Sequence, residues 1–267
     1  MDNITTYDDA LDHDEPIEVG GFIIYPILMS EYRMFMAAKN VLLIRQGSLP
    51  AKYAVMRYLS ALYAMDRDAA ADGLPVPRLI GGVLMMLSLA MRFPADALLR
   101  QTTIITSERD DGELVSLDMQ LGDRLLRLTP EVFDRLRPLI AAQNGLELPD
   151  ESENADLVES ENDIAASGEV PVSFDARTEI MSVARDQRKR YSEMLSYTIR
   201  EYTDLKAAID RDKMFTIYRT AECSGQVKFT HGNPVPSWCY DRKDKANSMI
   251  AMKDFMAGPG SIAAQHS

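Results

Sequence analysis

The sequence predicts a mainly α (α+β) fold: a helical N-terminal domain with a small β-hairpin, an acidic flexible linker and a helical C-terminal domain. Three observations carry this prediction. Apolar residues recur at helical spacing through much of residues 32–91 and 180–205. Two β-branched or alternating runs over residues 102–120 flank Asp110-Asp111-Gly112, a short-range hairpin signal. Residues 147–172 contain nine acidic residues and no Lys or Arg. A stretch so poor in large apolar side chains does not repay the entropy of its own ordering.

The elements follow in order. After a mobile acidic tail over residues 1–21, GGFIIYPI reads as a short β segment that Pro26 confines to the margin of a sheet. Ser30 suits the N-cap of a first helix carrying Phe35, Met36, Leu42 and Leu43, and the turn QGSLP stops it. Pro50 opens a second helix with an apolar stripe of Tyr53, Met56, Leu59, Leu62 and Tyr63. DGLPVP breaks the chain before a third helix over residues 76–92, which is apolar nearly all round and therefore central to the core. Gly81 and Gly82 each cost it roughly 1 kcal/mol relative to Ala, so their presence points to close approach of a neighbouring backbone. The hairpin comes next, then a short strand in LRL, then a helix with Thr129 as N-cap, Pro130 in its first turn and Asn144-Gly145 as its stop.

In the second half, Asp175 caps a helix that runs to Asp210 with a break near Arg188–Tyr191. RDKMFTIYRTAECSG reads as one further helix ending at Gly225. The domain reading is a tail over 1–21, an α+β domain over 22–146, a linker over 147–172, a helical domain with a Pro/Trp closing segment over 173–245, and a frayed tail over 246–267.

The net charge of -12 and pI near 4.8 disfavour a phosphate-binding surface, because nucleic-acid modules need excess Lys and Arg. The only cysteines, Cys223 and Cys239, are too few for the disulfide framework of a small secreted domain. The acidic N-terminus has the wrong charge for a secretory signal. LIGGVLMMLSLAM falls short of the ~18 to 20 residues that span a bilayer. These readings place the chain in the cytoplasm, away from membranes.

GNPVPSWCYDRK, residues 232–243, is unlike its surroundings. Its prolines keep it extended, and Trp238 and Tyr240 then either anchor the segment on the preceding helix or form a lip that meets a partner. Arg185, Arg188 and Lys189 stand at i, i+3 and i+4, so a helix presents them together to an acidic partner or to solvent. Cys223, His231 and Cys239 are donors that suit zinc, but three ligands do not complete a structural site, and no C-x-x-C pair accompanies them. No P-loop, dinucleotide, nucleophile-elbow or H-E-x-x-H motif is present. The expectation is of no enzyme activity, no cofactor and no metal.

FIIYPILMSEYRMFMAAKNVLLIRQGSLPAKYAVMRYLSALYAMD resembles the opening of tail-morphogenesis proteins of bacteriophages and prophages of Gram-positive bacteria. In those proteins an I-x-P-I strand leads into a helix, an LP-x-x-Y turn and a helix ending near ALY-x-x-D. AECSGQVKFTHGNPVPSWCYDRK is similar to their closing segment, so the resemblance covers residues 22–66 and 197–243. It implies a tail-assembly chaperone in the cytoplasm of the bacterial host, one that holds the helical tape-measure protein or another tail protein. The alternatives are a virion structural or adaptor subunit and, after it, a metal-dependent enzyme using Cys223, His231 and Cys239; homo-oligomerisation stays open. The 16 methionines suit such an adaptable surface.

Overall fold

The structure, a computed structural model, describes residues 7–107, 112–151, 175–225, 227–229, 233–235 and 237–238. It is mainly helical with two small antiparallel sheets, as the sequence predicts. The chain divides within its last helix, with Met1–Asp204 forming one unit and Leu205–Ser267 the other.

The first unit opens with a short helix α1 (Asp8–Asp12) and a hairpin of β1 (Ile17–Val19) and β2 (Phe22–Ile24). Gly20 and Gly21 both take positive φ in the turn between them, the backbone that a tight two-residue hairpin demands. Leu11, Ile17 and Val19 are buried. The expected mobile tail over 1–21 is therefore corrected: from Tyr7 onward it is a structured part of the fold.

Met29–Glu31 forms a 3-10 turn that leads into α2 (Tyr32–Ala38) and α3 (Asn40–Leu43), which bury Phe35, Ala38, Val41 and Leu42. Ser30 is inside that turn and caps nothing; its N–H is used instead to reach Leu195 O. The predicted second helix is two, α4 (Ala51–Ala54) and α5 (Tyr58–Ala71), separated at the exposed Val55. Next comes α6 (Leu79–Ala90), where Val83, Leu87 and Ala90 are wholly buried. Helices α2, α3, α5 and α7 (Ala95–Arg100) all pack on α6, which makes it the axis of the unit.

The N-terminus of α6 is capped from outside. Arg78 precedes it in the left-handed region, so it offers no cap of its own, and the Asp66 carboxylate of α5 accepts from Leu79 N and Ile80 N at 2.9 Å each. A carboxylate at this end also opposes the positive pole of the helix dipole. Gly82 faces α3 so closely that a Cβ there would collide with Val41 Cγ1, whereas a Cβ on Gly81 would meet only Arg78 Cβ at 3.9 Å. Of the close approaches expected at the two glycines, Gly82 alone has one, and the neighbour there is the Val41 side chain and not a backbone.

Strands β3 (Thr102–Thr106), β4 (Leu114–Leu121) and β5 (Arg124–Leu128) form an antiparallel meander in the order β3-β4-β5. Asp118 pairs with Arg127 in the β4–β5 register, and the guanidinium donates to both carboxylate oxygens. Those bonds, with one from Ser116 Oγ at 2.6 Å, hold the Asp118 carboxyl below the usual carboxylate range against the cost of burial. Helix α8 (Pro130–Gln143) then begins as predicted, with Thr129 accepting from Val132 N and Pro130 in the first turn.

One corner collects carbonyls left over at the end of α3. Tyr58 Oη donates to Val41 O at 2.8 Å and Ile44 O at 3.1 Å, and Arg137 Nε donates to Leu42 O at 2.8 Å. The Arg137 guanidinium also lies 3.7 Å from the centre of the Tyr58 ring. Burial pushes the Tyr58 phenol up to about 12.

The second half contributes α9 (Ala176–Asp186), capped by Asp175 as predicted, then α10 (Tyr191–Met194) and α11 (Ile199–Cys223). The break falls at Arg188, which takes positive φ. No second break occurs near residue 211, so the two helices expected there are one. Ile180, Val183, Ala184, Met194, Ile199 and Tyr202 are buried. Residues 175–204 thus belong to the N-terminal unit and not to a separate domain that starts at 173. Of the predicted linker, 152–172 lies outside the described residues; Glu151 just before it accepts from Gln46 N and Gly47 N. The predicted tail over 246–267 also lies outside them. Among the described residues no helix is long and apolar enough to cross a membrane.

Two measurements check these contacts. Gly82→Ala is expected to lose about 1–3 kcal/mol through overpacking against Val41, while Gly81→Ala gains about 0.5–1 kcal/mol from helix propensity; paired urea titrations read the difference in sign. For Tyr58 the folded pKa is raised, so its contribution to stability is complete below pH ~10 and is lost as pH climbs towards about 12. Denaturation midpoints taken across that window should fall in wild type and fall less in Tyr58→Phe.

Candidate functional site

The segment Tyr25–Leu28 runs as extended chain into the 3-10 turn at Met29, with Pro26, Ile27 and Met29 buried. Its polar backbone is satisfied element by element. Tyr25 N donates to Ala90 O at the end of α6 (2.7 Å), and Ile27 N donates to the Asn144 side chain at the end of α8 (3.0 Å). Met29 N reaches Tyr197 O (2.8 Å), and Ile199 N returns to Ile27 O (2.9 Å). Asn144 is itself buried and donates through Nδ2 to Ile140 O at 2.7 Å. A residue that reads in sequence as a helix stop is therefore also the joint between a helix and a crossing strand.

Beside this segment lies an open groove of about 380 Å³, walled by Pro26, Leu28, Met34, Leu89, Phe93 and Pro94. Its polar lining is Ser30, Glu31, Ser88 and Arg92; Ser88 Oγ donates to Met85 O at 2.7 Å, and the Arg92 guanidinium sits 4.7 Å from the centre of the Tyr25 ring. Arg92 is held at positive φ just after α6, which turns the chain and sets the groove's far wall. The chemistry offered is apolar surface with an arginine and a glutamate at its margin, which suits the side chains of a protein partner.

The second unit presents a different surface. No residue of Leu205–Cys223 is buried, although Leu205, Ile209, Met214, Phe215, Ile217 and Tyr218 lie along it. Met214 and Ile217 are 40% and 58% exposed. The chain after Gly225 returns to this helix at two points. Phe229 meets Tyr218 edge-on with ring centres 5.5 Å apart, and Asn233 Nδ2 donates to Glu222 Oε2 at 3.4 Å. Val235 N closes an Asx turn on Asn233 Oδ1 at 2.9 Å, so the turn predicted from Asn233-Pro234 forms.

The predicted site residues take separate places. Trp238 is 60% exposed, so it is not a buried anchor of the closing segment; the half-buried Phe229 makes the ring contact with the helix. Tyr240, Cys239 and His231 lie outside the described residues, and Cys223 is exposed on α11. Among the described residues no group of three His, Cys, Asp or Glu is close enough to hold a metal ion. Arg185, Arg188 and Lys189 do not share a helix face, because α9 ends at Asp186 and Arg188 leaves it in the left-handed region. All three are exposed, and the Lys189 ammonium lies 4.6 Å from the centre of the Tyr197 ring.

Two features escaped the sequence reading although signals for them exist. Val19-Gly20-Gly21-Phe22 is a Gly-Gly hairpin signal that marks β1. Thr198-x-x-Glu201 is a capping box that marks the start of α11: Thr198 N donates to Glu201 Oε2 at 2.8 Å and Glu201 N to Thr198 Oγ1 at 3.0 Å. The groove had no such signal, since its walls come from stretches more than fifty residues apart in sequence.

Comparison of the chain with known protein families, with characterised proteins and with solved structures finds no match.

The joint at Asn144 can be tested directly. Asn144→Ala strands the buried Ile27 N–H and is expected to cost about 1–3 kcal/mol, whereas Asn144→Leu, which strands it and adds bulk, costs more. Chemical denaturation that finds both variants as stable as wild type would remove Asn144 from this role.

Proposed function

We propose that the chain is a non-enzymatic assembly factor of phage or prophage tails, a chaperone-like protein that works in the cytoplasm of the bacterial host and binds a helical tail protein such as the tape-measure protein. The observation that carries this reading is the unburied run of α11. A helix whose apolar residues find no interior position keeps that surface available for another helix. Fully burying one Met or Ile side chain is worth about 1.5–3 kcal/mol, so a few such contacts supply a useful affinity. The exposed Trp238 extends the same unit's apolar surface with a ring suited to an interface. The resemblance of residues 22–66 and 197–243 to tail-morphogenesis proteins supplies the class of partner. The basic residues Arg185, Arg188 and Lys189 and the ring of Tyr240 are further contact candidates on the same reading.

The test is recovery of a partner by tagged chain co-expressed with the tail proteins encoded beside it. Wild type should retain a long helical protein. Ile217→Asp, confirmed as folded by circular dichroism, should retain at least about tenfold less, because a charge at the contact is desolvated without a counter-ion. Failure of wild type to retain any helical tail protein sinks the proposal, and undiminished retention by Ile217→Asp removes α11 from it.

A further inference from the structure

The meander has two edges, and they are built differently. The β5 edge carries Arg124 and Arg127, charges of the kind that discourage strand addition. The β3 edge is Thr-Thr-Ile-Ile-Thr, without a charge or a proline, and Thr103, Ile104, Ile105 and Thr106 are all exposed. Ile104 and Ile105, on opposite faces of the strand, are 46% and 38% exposed.

The hydrogen bonds to β4 settle which backbone groups look outward. Gln120 N donates to Gln101 O at 3.0 Å, and Ser107 N donates to Glu113 O at 2.8 Å. Antiparallel pairing alternates bonded and non-bonded residues, so between those bonds Thr103 and Ile105 direct their N–H and C=O to β4. Thr102, Ile104 and Thr106 direct theirs to the open edge. The outward set reads Thr-Ile-Thr in either direction.

We propose that β3 is a self-recognition strand: a second copy of the chain adds its own β3 to this edge, antiparallel and two-fold symmetric about Ile104, so that the two meanders become one continuous sheet. In that register Ile104 lies opposite its symmetry mate, and Thr102 lies opposite Thr106 of the other copy. Each of these pairs exchanges two N–H···O=C bonds, and no charged side chain of β3 faces its like. Thr103 falls opposite Ile105 of the other copy, a cross-strand β-branched pair. A second copy fits this edge because the two-fold register sets Ile against Ile, Thr against Thr and Thr against Ile, β-branched pairs free of charge, along its whole length. Pairing of five residues covers much less than the ~800 Å² per partner of a stable interface, so the dimer is weak and dependent on concentration. Net repulsion between acidic chains adds to that dependence and makes it sensitive to salt.

The experiment is sedimentation of the purified full chain across roughly 1–300 µM at ~0.15 M salt, joined to residue-resolved amide hydrogen exchange at both ends of that range. The wild-type sedimentation coefficient is expected to rise towards a dimer. The amides of Thr102, Ile104 and Thr106 should slow at high concentration, while those of Thr103 and Ile105, already bonded to β4, do not change. Ile104→Lys sets two ammonium groups against each other on the axis and should weaken association at least about tenfold, whereas Ile104→Val should leave it within about threefold. A monomer throughout the range, association unaffected by Ile104→Lys, or protection that does not alternate along β3 overturns the proposal. So does an edge that pairs only when an extended segment of another protein is supplied. Should Ile104→Lys fail to fold, the exchange pattern of the wild type decides.

Discussion

The first unit depends on one constraint: the extended segment Tyr25–Leu28 and the 3-10 turn after it carry backbone into the interior, and every buried polar group there needs a partner. An unpaired N–H in such a place costs about 1–3 kcal/mol, comparable with a sizeable share of a domain's net stability. The chain meets the demand by ending three elements against the segment. The last turn of α6 supplies Ala90 O, the last turn of α8 supplies Asn144, and the turn before α11 supplies Tyr197 O and takes Ile27 O. The positions of those helix ends are therefore set by a strand that belongs to none of them. The same arrangement explains why residues 175–204 fold with the N-terminal part of the chain across the acidic stretch.

A related device stabilises the corner after α3. That helix is a single turn, too short to be stable by its own hydrogen bonds, and its end carbonyls point into the protein. Tyr58 from α5 and Arg137 from α8 both reach them. Helix α5, which packs on α6, and α8, which packs on α5, are tied in this way to the helix that Gly82 admits against α6. The polar groups here hold apolar elements in position, with the hydrophobic contact of α3 on α6 as the result.

The surfaces proposed for function are those that these constraints leave unused. The exposed run of α11 and the open edge of β3 contribute nothing to the buried core. A helical partner on the first and a second copy on the second use different physics, apolar side-chain burial in one case and backbone hydrogen bonding in the other. In the proposed role both surfaces would serve together, because a weak self-association brings more than one helix-binding surface to a long client. The groove beside Tyr25–Ser30 is a third apolar surface, and its position next to the central joint ties its shape to the packing of α6.

Local signals alone determined much of this protein. The mainly α class, the hairpin of β3 and β4, the caps at Thr129 and Asp175, the break at Arg188 and the burial of α6 all follow from spacing and capping chemistry within a few residues. Those features are legible because their energetic causes lie within one turn or one hairpin. The tertiary structure alone decided the rest. Ser30 is a sound cap by composition, yet its N–H is used by Leu195 O; Asn144 is a stop by composition, yet it also holds Ile27. Asp66 caps a helix that begins thirteen residues later, and Trp238 is exposed although its chemistry suits an anchor. For Ser30, Asn144 and Asp66 the deciding partner lies outside the element they read as part of, and for Trp238 no interior position is found. Hydrogen-bond satisfaction and burial are properties of the assembled interior, and no window of sequence contains them.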